Sequence, residues 1–178
     1  MSAGAPAPER ERDAVITPAQ VLAIYDALRA AGVRAWIDGG WCVEALLGEE
    51  ARAHADLDLA VERRDEAALR AWAGRERFAE APGGSESVFV LAHADGRRVD
   101  VHLFEYGPAR ENAWGVAYPW GSLTGSGQLA GREVECVAAE WMFRFKTAYA
   151  PAAKDLDDVA RLARRFGFEI PPSHRAPR

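Results

Sequence analysis

The sequence predicts an α+β fold, a mixed β-sheet of about five strands flanked by helices. Three observations lead there. Segments with apolar residues at helical spacing are interspersed with short runs in which apolar and polar residues alternate singly, the period of a strand. Asp95-Gly96 joins two such runs directly, which is the signal of a tight hairpin. No internal repeat and no linker interrupts the chain, so residues 16–172 read as one domain, with the core sheet in 16–137 and closing helices in 138–172.

Each element has its own signal. Thr17-Pro18-Ala19-Gln20 is a capping box with proline at the first helical position, and Val21, Ile24, Tyr25 and Leu28 follow at helical spacing as far as Gly32. A strand over Ala35 to Asp38 runs into Gly39-Gly40. A short helix from near Trp41 to Gly48 then buries Val43, Leu46 and Leu47. The second strand lies in RAHADLDLAV, residues 52–61. Residues 65–75 are helical with Leu69 and Trp72 inward, PGGSES (82–87) is a loop, and VFVLAH (88–93) and RRVDVHLF (97–104) are the hairpin strands. Residues 106–131 are rich in Gly, Pro and Trp and long for a structureless connection, which marks a binding loop or lid. A short strand over 132–137 and helices near 139–148 and 153–166 complete the fold. The last helix places Leu156, Val159, Ala160, Ala163 and Phe166 on its buried face. Its acids lead and its arginines trail, as the helix dipole favours.

Composition bounds the function. With 178 residues, 49% hydrophobic and six Trp, the chain buries a sizeable core. A net charge of −5 argues against a basic groove, so nucleic acid is not an expected partner. No apolar run approaches the ~20 residues that span a bilayer, so neither is a membrane. Cys42 and Cys136 form no CxxC pair and sit among apolar neighbours, the pattern of buried thiols in a reducing cytoplasm. The N-terminus MSAGAPAPERERDA lacks the apolar stretch of a signal peptide and reads as a disordered tail over 1–15; the end, PPSHRAPR, reads as loose too.

The chemistry concentrates in the second strand. Asp56 and Asp58 are one residue apart and therefore share a face, with His54 just upstream, while Leu57, Leu59 and Val61 point to the core. Two like charges this close raise each other's pKa unless a cation lies between them, and a divalent cation suits the place. Asp100 and His102 repeat the pattern, opposite Val99, Val101 and Leu103. If the two strands are neighbours, Asp56, Asp58 and Asp100 converge on one sheet edge, an arrangement that binds two Mg²⁺ ions about 4 Å apart. Gly39-Gly40 follows a strand and opens a helix, leaving backbone N–H groups that can hold phosphate.

WIDGGWCVEALLG followed by RAHADLDLA resembles the nucleotidyltransferases of the DNA polymerase β superfamily. It is more closely similar to the small antibiotic adenylyltransferases that modify lincosamides and, at the 2'' position, aminoglycosides. VDVHLF, GREVECVAAE and FKTAYAPAAKDLDDVARL also resemble the short lincosamide-type enzymes, so the likeness runs over about residues 20 to 170. The resemblance implies a polymerase β-like nucleotidyltransferase fold. It implies metal ligation by Asp56 and Asp58, with Asp100 as third ligand, general base, or both. Gly39 and Gly40 would hold the triphosphate, with Arg52 and His54 beside it as phosphate or more distant contacts. Where the family has F-H-x-G-Y, this chain has Phe145-Lys146-Thr147-Ala148-Tyr149, so Lys146 either reaches a phosphate or is a solvated lysine. His102 is a candidate acceptor contact, as are Trp114 and Trp120 in the long segment, for which core packing is the alternative. The implied reaction is Mg²⁺-dependent transfer of a nucleoside monophosphate, AMP from ATP or its counterpart from another NTP. The acceptor is a hydroxyl of a small molecule, an antibiotic by resemblance, lincosamide ahead of aminoglycoside, and pyrophosphate leaves.

Two rivals stand beside this. One is a zinc metallohydrolase built on His54, Asp56, Asp58 and His102, although catalytic zinc takes two or three histidines. The other is a minimal nucleotidyltransferase domain that binds or modifies a protein partner of the toxin–antitoxin kind, for which no long exposed apolar stripe is evident.

Overall fold

Thr17 starts the first helix as its sequence requires: the hydroxyl accepts from the Gln20 N–H while the Gln20 side chain returns to the Thr17 N–H. The computed structural model describes residues 15–175, and all but Val15 of the tail expected over residues 1–15 lies outside them. In chain order the elements are α1 (Pro18–Ala30), β1 (Ala35–Ile37), α2 (Gly39–Leu47), β2 (Leu57–Glu62), α3 (Glu66–Arg75), β3 (Ala79–Glu80), β4 (Val88–Ala92), β5 (Arg98–Tyr106), β6 (Asn112–Gly115), β7 (Gly125–Leu129), β8 (Arg132–Cys136), α4 (Ala139–Thr147) and α5 (Ala153–Phe166).

The strands form one sheet in the order β3-β4-β5-β2-β1-β8-β7, and β6 pairs with β5 beyond the point where β4 stops. The β2–β5 and β1–β8 pairs are parallel and the others antiparallel, so the sheet is mixed, as expected. Leu57, Leu59 and Val61 of β2 and Val99, Val101 and Leu103 of β5 are fully buried in the same apolar cluster as Leu28, Leu69 and Trp72. Each such side chain contributes about 2 kcal/mol by leaving water. Strand alternation then forces Asp58, Asp100 and His102 onto the opposite face. Cys42 and Cys136 are buried and unbridged, and no described helix is long and apolar enough to cross a membrane.

The sheet has eight strands rather than about five. β3 is two residues long, and β6 and β7 lie inside the stretch that its composition marked as a loop or lid. In β7 the glycines have a packing reason: a Cβ on Gly127 would collide with the backbone of Ala45 in α2, so its absence lets the helix lie against the strand. The second strand begins at Leu57, so Asp56 precedes it and Asp58 alone of the two lies on its face, and His54 sits earlier still, in an isolated bridge to Ile16. In α5 the buried face is Asp155, Asp158, Val159, Arg161, Leu162 and Ala163, whereas Ala160 and Phe166 are exposed. That face is turned toward partners for its charges rather than toward its apolar maximum. The proline-rich end is also partly ordered: Pro172–His174 forms a 3-10 turn that leaves His174 just 3% exposed.

Candidate active site

The parallel register of β2 and β5 sets Asp58 directly opposite Asp100. Asp58, Asp100 and His102 each present a ligand atom, and the three atoms lie within 4.8 Å of one another. Asp56 stands just before β2 and is exposed. Burial, reinforced by the charges of Asp56 and Asp38, pushes the Asp58 carboxyl up to about 7. Burial also raises Asp100, whose Oδ1 is enclosed without a hydrogen-bond partner among the described residues. Mutually repelling carboxylates with an oxygen left unsatisfied fit a hard divalent cation, which takes oxygen ligands and removes the repulsion.

Beneath this cluster lies Asp38, which the sequence presents simply as the end of a strand. It is buried, caps α2 by accepting from the Gly39 N–H at 2.7 Å, and accepts from the Tyr118 hydroxyl at 2.5 Å. Burial pushes its carboxyl up, but the His102 imidazole, with Nδ1 3.6 Å away, and the hydrogen bonds from Tyr118 and Gly39 outweigh that and hold it below the usual range. Since Tyr118 donates to Asp38, its oxygen accepts from His102 Nδ1, 3.1 Å away, which fixes a proton on that nitrogen. His102 Nε2 then faces Asp100 Oδ1 at 3.8 Å. Burial pulls the imidazole pKa down, and the neighbouring Asp38 carries it upward overall. His102 therefore belongs to the acid cluster, and Asp38 and Tyr118 are the supports that sequence reasoning missed.

A cavity of about 560 Å³ opens beside the acids, lined by Gly39, Gly40, Arg52, His54, Asp56, Asp58, Lys146, Tyr149, Lys154 and Asp155. Its size is that of a ligand pocket. Gly39 has φ +59, and a Cβ there would strike the Asp58 carboxylate; at Gly40 it would strike the His54 ring. Glycine is thus required at both positions for the acids and the imidazole to approach the helix start. The helix begins at Gly39 rather than Trp41, and the Gly39 N–H is taken by Asp38, so Gly40 and Trp41 supply the open N–H groups of its first turn.

His54 is buried, with Nε2 3.3 Å from Glu44 Oε1 and its ring 4.7 Å from that of Trp41. It lines the cavity beside Gly40 instead of joining the acids. Among the described residues a single histidine meets the carboxylates, too few for the zinc alternative. Lys146 is not a solvated lysine: its Nζ is buried between Asp155, at 3.2 Å, and Asp158, at 2.9 Å. Burial lowers its pKa, and the Asp158 contact more than restores it. Lys154, which the sequence reading passed over inside FKTAYAPAAKDLDDVARL, is exposed at the cavity edge and forms no ion pair among the described residues. Trp114 and Trp120 are not brought to the acids. Trp114 lies on β6 under the Arg63 guanidinium, and Trp120, 54% exposed, contacts Tyr106 and Arg110 at the far end of β5.

Known proteins share this fold. The chain is similar in structure to the lincosamide antibiotic adenylyltransferase LnuA in its lincomycin-bound form, with a TM-score of 0.73 and 19% identity over 84% of this chain and 98% of that one. It is similar also to ANT(2'')-Ia in complex with adenylyl-2''-tobramycin, at TM-score 0.71 and 21% identity over 84% and 89% of the two chains. A more distant likeness is to an antigenic nucleotidyltransferase-like protein from Paracoccidioides brasiliensis, at TM-score 0.53 and 17% identity over 83% and 75%. No curated protein sequence matches. At these identities the structural likeness carries the fold. The family model for aminoglycoside-2''-adenylyltransferase matches residues 20–162, most of the chain, and on that match the protein belongs to this family of nucleotidyltransferases.

Proposed function

We propose that the protein transfers AMP from ATP to a hydroxyl group of a small-molecule antibiotic, a lincosamide ahead of an aminoglycoside, and releases pyrophosphate. The observation that carries this is the pairing of Asp58 with Asp100 in register, next to the open N-terminus of α2. Asp56, Asp58 and Asp100 would hold Mg²⁺, two ions in this scheme, which when bound supplies charge neutralisation for the triphosphate. The Gly40 and Trp41 N–H groups, with Arg52 and Lys154, receive the phosphate oxygens. Asp100 accepts the proton of the acceptor hydroxyl as its oxygen bonds to the α-phosphorus and the bond to the bridging oxygen of pyrophosphate breaks. His102, held by Tyr118 and Asp38, flanks Asp100 on the acceptor side. The lincomycin and adenylyl-tobramycin held by the two solved relatives support a drug as acceptor. The two unbridged thiols support a cytoplasmic setting.

The test is label transfer from α-³²P ATP with Mg²⁺ to a panel of lincosamides, aminoglycosides and macrolides. Label on one drug class, abolished in Asp56→Ala/Asp58→Ala, is the expected result. Label on none of them, with Mg·ATP still bound, removes the antibiotic acceptor and keeps the nucleotide site.

A further inference from the structure

Asp158 is a fully buried carboxylate on α5, and such a group persists where cations and hydrogen bonds offset its lost hydration. Two cations do so here. Arg52 makes a two-point contact, Nη2 to Oδ2 at 3.1 Å and Nε to Oδ1 at 3.4 Å. Lys146 Nζ lies 2.9 Å from the same Oδ2 and also reaches Asp155. The two cations differ in what they have left to offer. The Lys146 side chain is 7% exposed, with its ammonium enclosed between the two carboxylates, whereas the Arg52 side chain is 25% exposed. Arg52 Nη2 lies 2.8 Å from where a Cβ on Gly40 would stand, so the guanidinium is clamped to α5 from behind and turned toward the open first turn of α2.

We infer that Asp158 is a positioning residue for the nucleotide: it holds the Arg52 guanidinium against the α2 N-terminus, ready for the triphosphate, and Lys146 acts on the nucleotide through Asp158 rather than by touching it. The inference rests on the nucleotidyl-transfer reading. A free arginine samples many rotamers, and ordering it during binding costs affinity, a cost that the Asp158 contact removes beforehand. The contact also makes α5 part of the phosphate site, although α5 follows the sheet by many residues.

The experiment is equilibrium binding of Mg·ATP and of AMP to the full chain, alongside thermal unfolding. Asp158→Asn and Arg52→Gln should each weaken Mg·ATP about tenfold or more and leave AMP unchanged, and the double variant should be no worse than the weaker single. Arg52→Lys, which keeps the charge at a partly exposed position but cannot make the two-point contact, should lose nearly as much as Arg52→Gln. Asp158→Asn that unfolds more easily while keeping the ratio of ATP to AMP affinity, additive losses in the double variant, or Arg52→Lys that binds as wild type would each overturn the inference and leave the nucleotidyl-transfer reading standing. A wild-type chain that binds no Mg·ATP would remove both.

Discussion

Asp100 presents an enclosed oxygen that no group among the described residues satisfies, with His102 Nε2 3.8 Å away. An oxygen in that condition is costly unless a substrate proton or a cation meets it. Asp100→Asn keeps the shape and removes the basicity. It should lower kcat by about 10² to 10⁴-fold with little change in nucleotide KM. Steady-state kinetics with saturating acceptor would show this, and an effect confined to KM would make Asp100 a binding residue instead. Tyr118→Phe tests the support below. It removes one donor to the buried Asp38 and frees His102, so denaturant unfolding should show a loss of about 1–3 kcal/mol. The acids were legible because a period of two needs no knowledge of the fold. Asp38 and Tyr118 were not, since their contact joins residues 80 positions apart and Tyr118 sits in a segment whose composition resembles a loop.

At the scale of elements, the helices and the hairpin were readable wherever local chemistry decides: the Thr17 capping box, the Gly48 left-handed cap and the Asp95-Gly96 turn all stand where the residues put them. Elements decided by packing were not. β7 is hidden because Gly125 and Gly127 read as loop, yet Gly127 is there to admit α2. Gly127→Val should therefore lower the midpoint of thermal unfolding, by the equivalent of about 1–3 kcal/mol. The same substitution at Gly83, where a Cβ meets nothing within 4 Å but φ is +96, strains the backbone alone and serves as the comparison. His54 escaped because the strand period was read through a bend that precedes β2. The buried side of α5 escaped because apolar periodicity ignores charges, and Asp155, Asp158 and Arg161 are inward through their pairing with Lys146, Arg52 and Glu44.

The whole molecule is organised so that one sheet face supplies stability and the other gives some of it up. Asp58 has its carboxyl raised from 3.8 to about 7 in the folded protein, so between those values the folded state binds more protons than the unfolded one. Stability from this group is therefore greatest at low pH and falls as pH rises through the window, levelling off above about 7. Asp38, Glu44 and Asp155 behave in the opposite sense: their lowered pKa values give stability above the ordinary carboxylate range that is lost on acidification. Because those groups are common to both proteins, a comparison with Asp58→Asn isolates the first effect. Without divalent cation the variant should melt above wild type at pH 8, and the gap should close as pH is lowered toward 4. Mg²⁺ should raise the melting temperature of wild type at pH 8, less so at pH 5 where protons compete for the site, and scarcely that of Asp58→Asn. Differential scanning calorimetry across pH, with and without Mg²⁺, reads each of these differences. Wild type that melts with or above Asp58→Asn at pH 8 in the absence of metal would show that the acids are satisfied by the protein itself, and the case for a cation between them would fall.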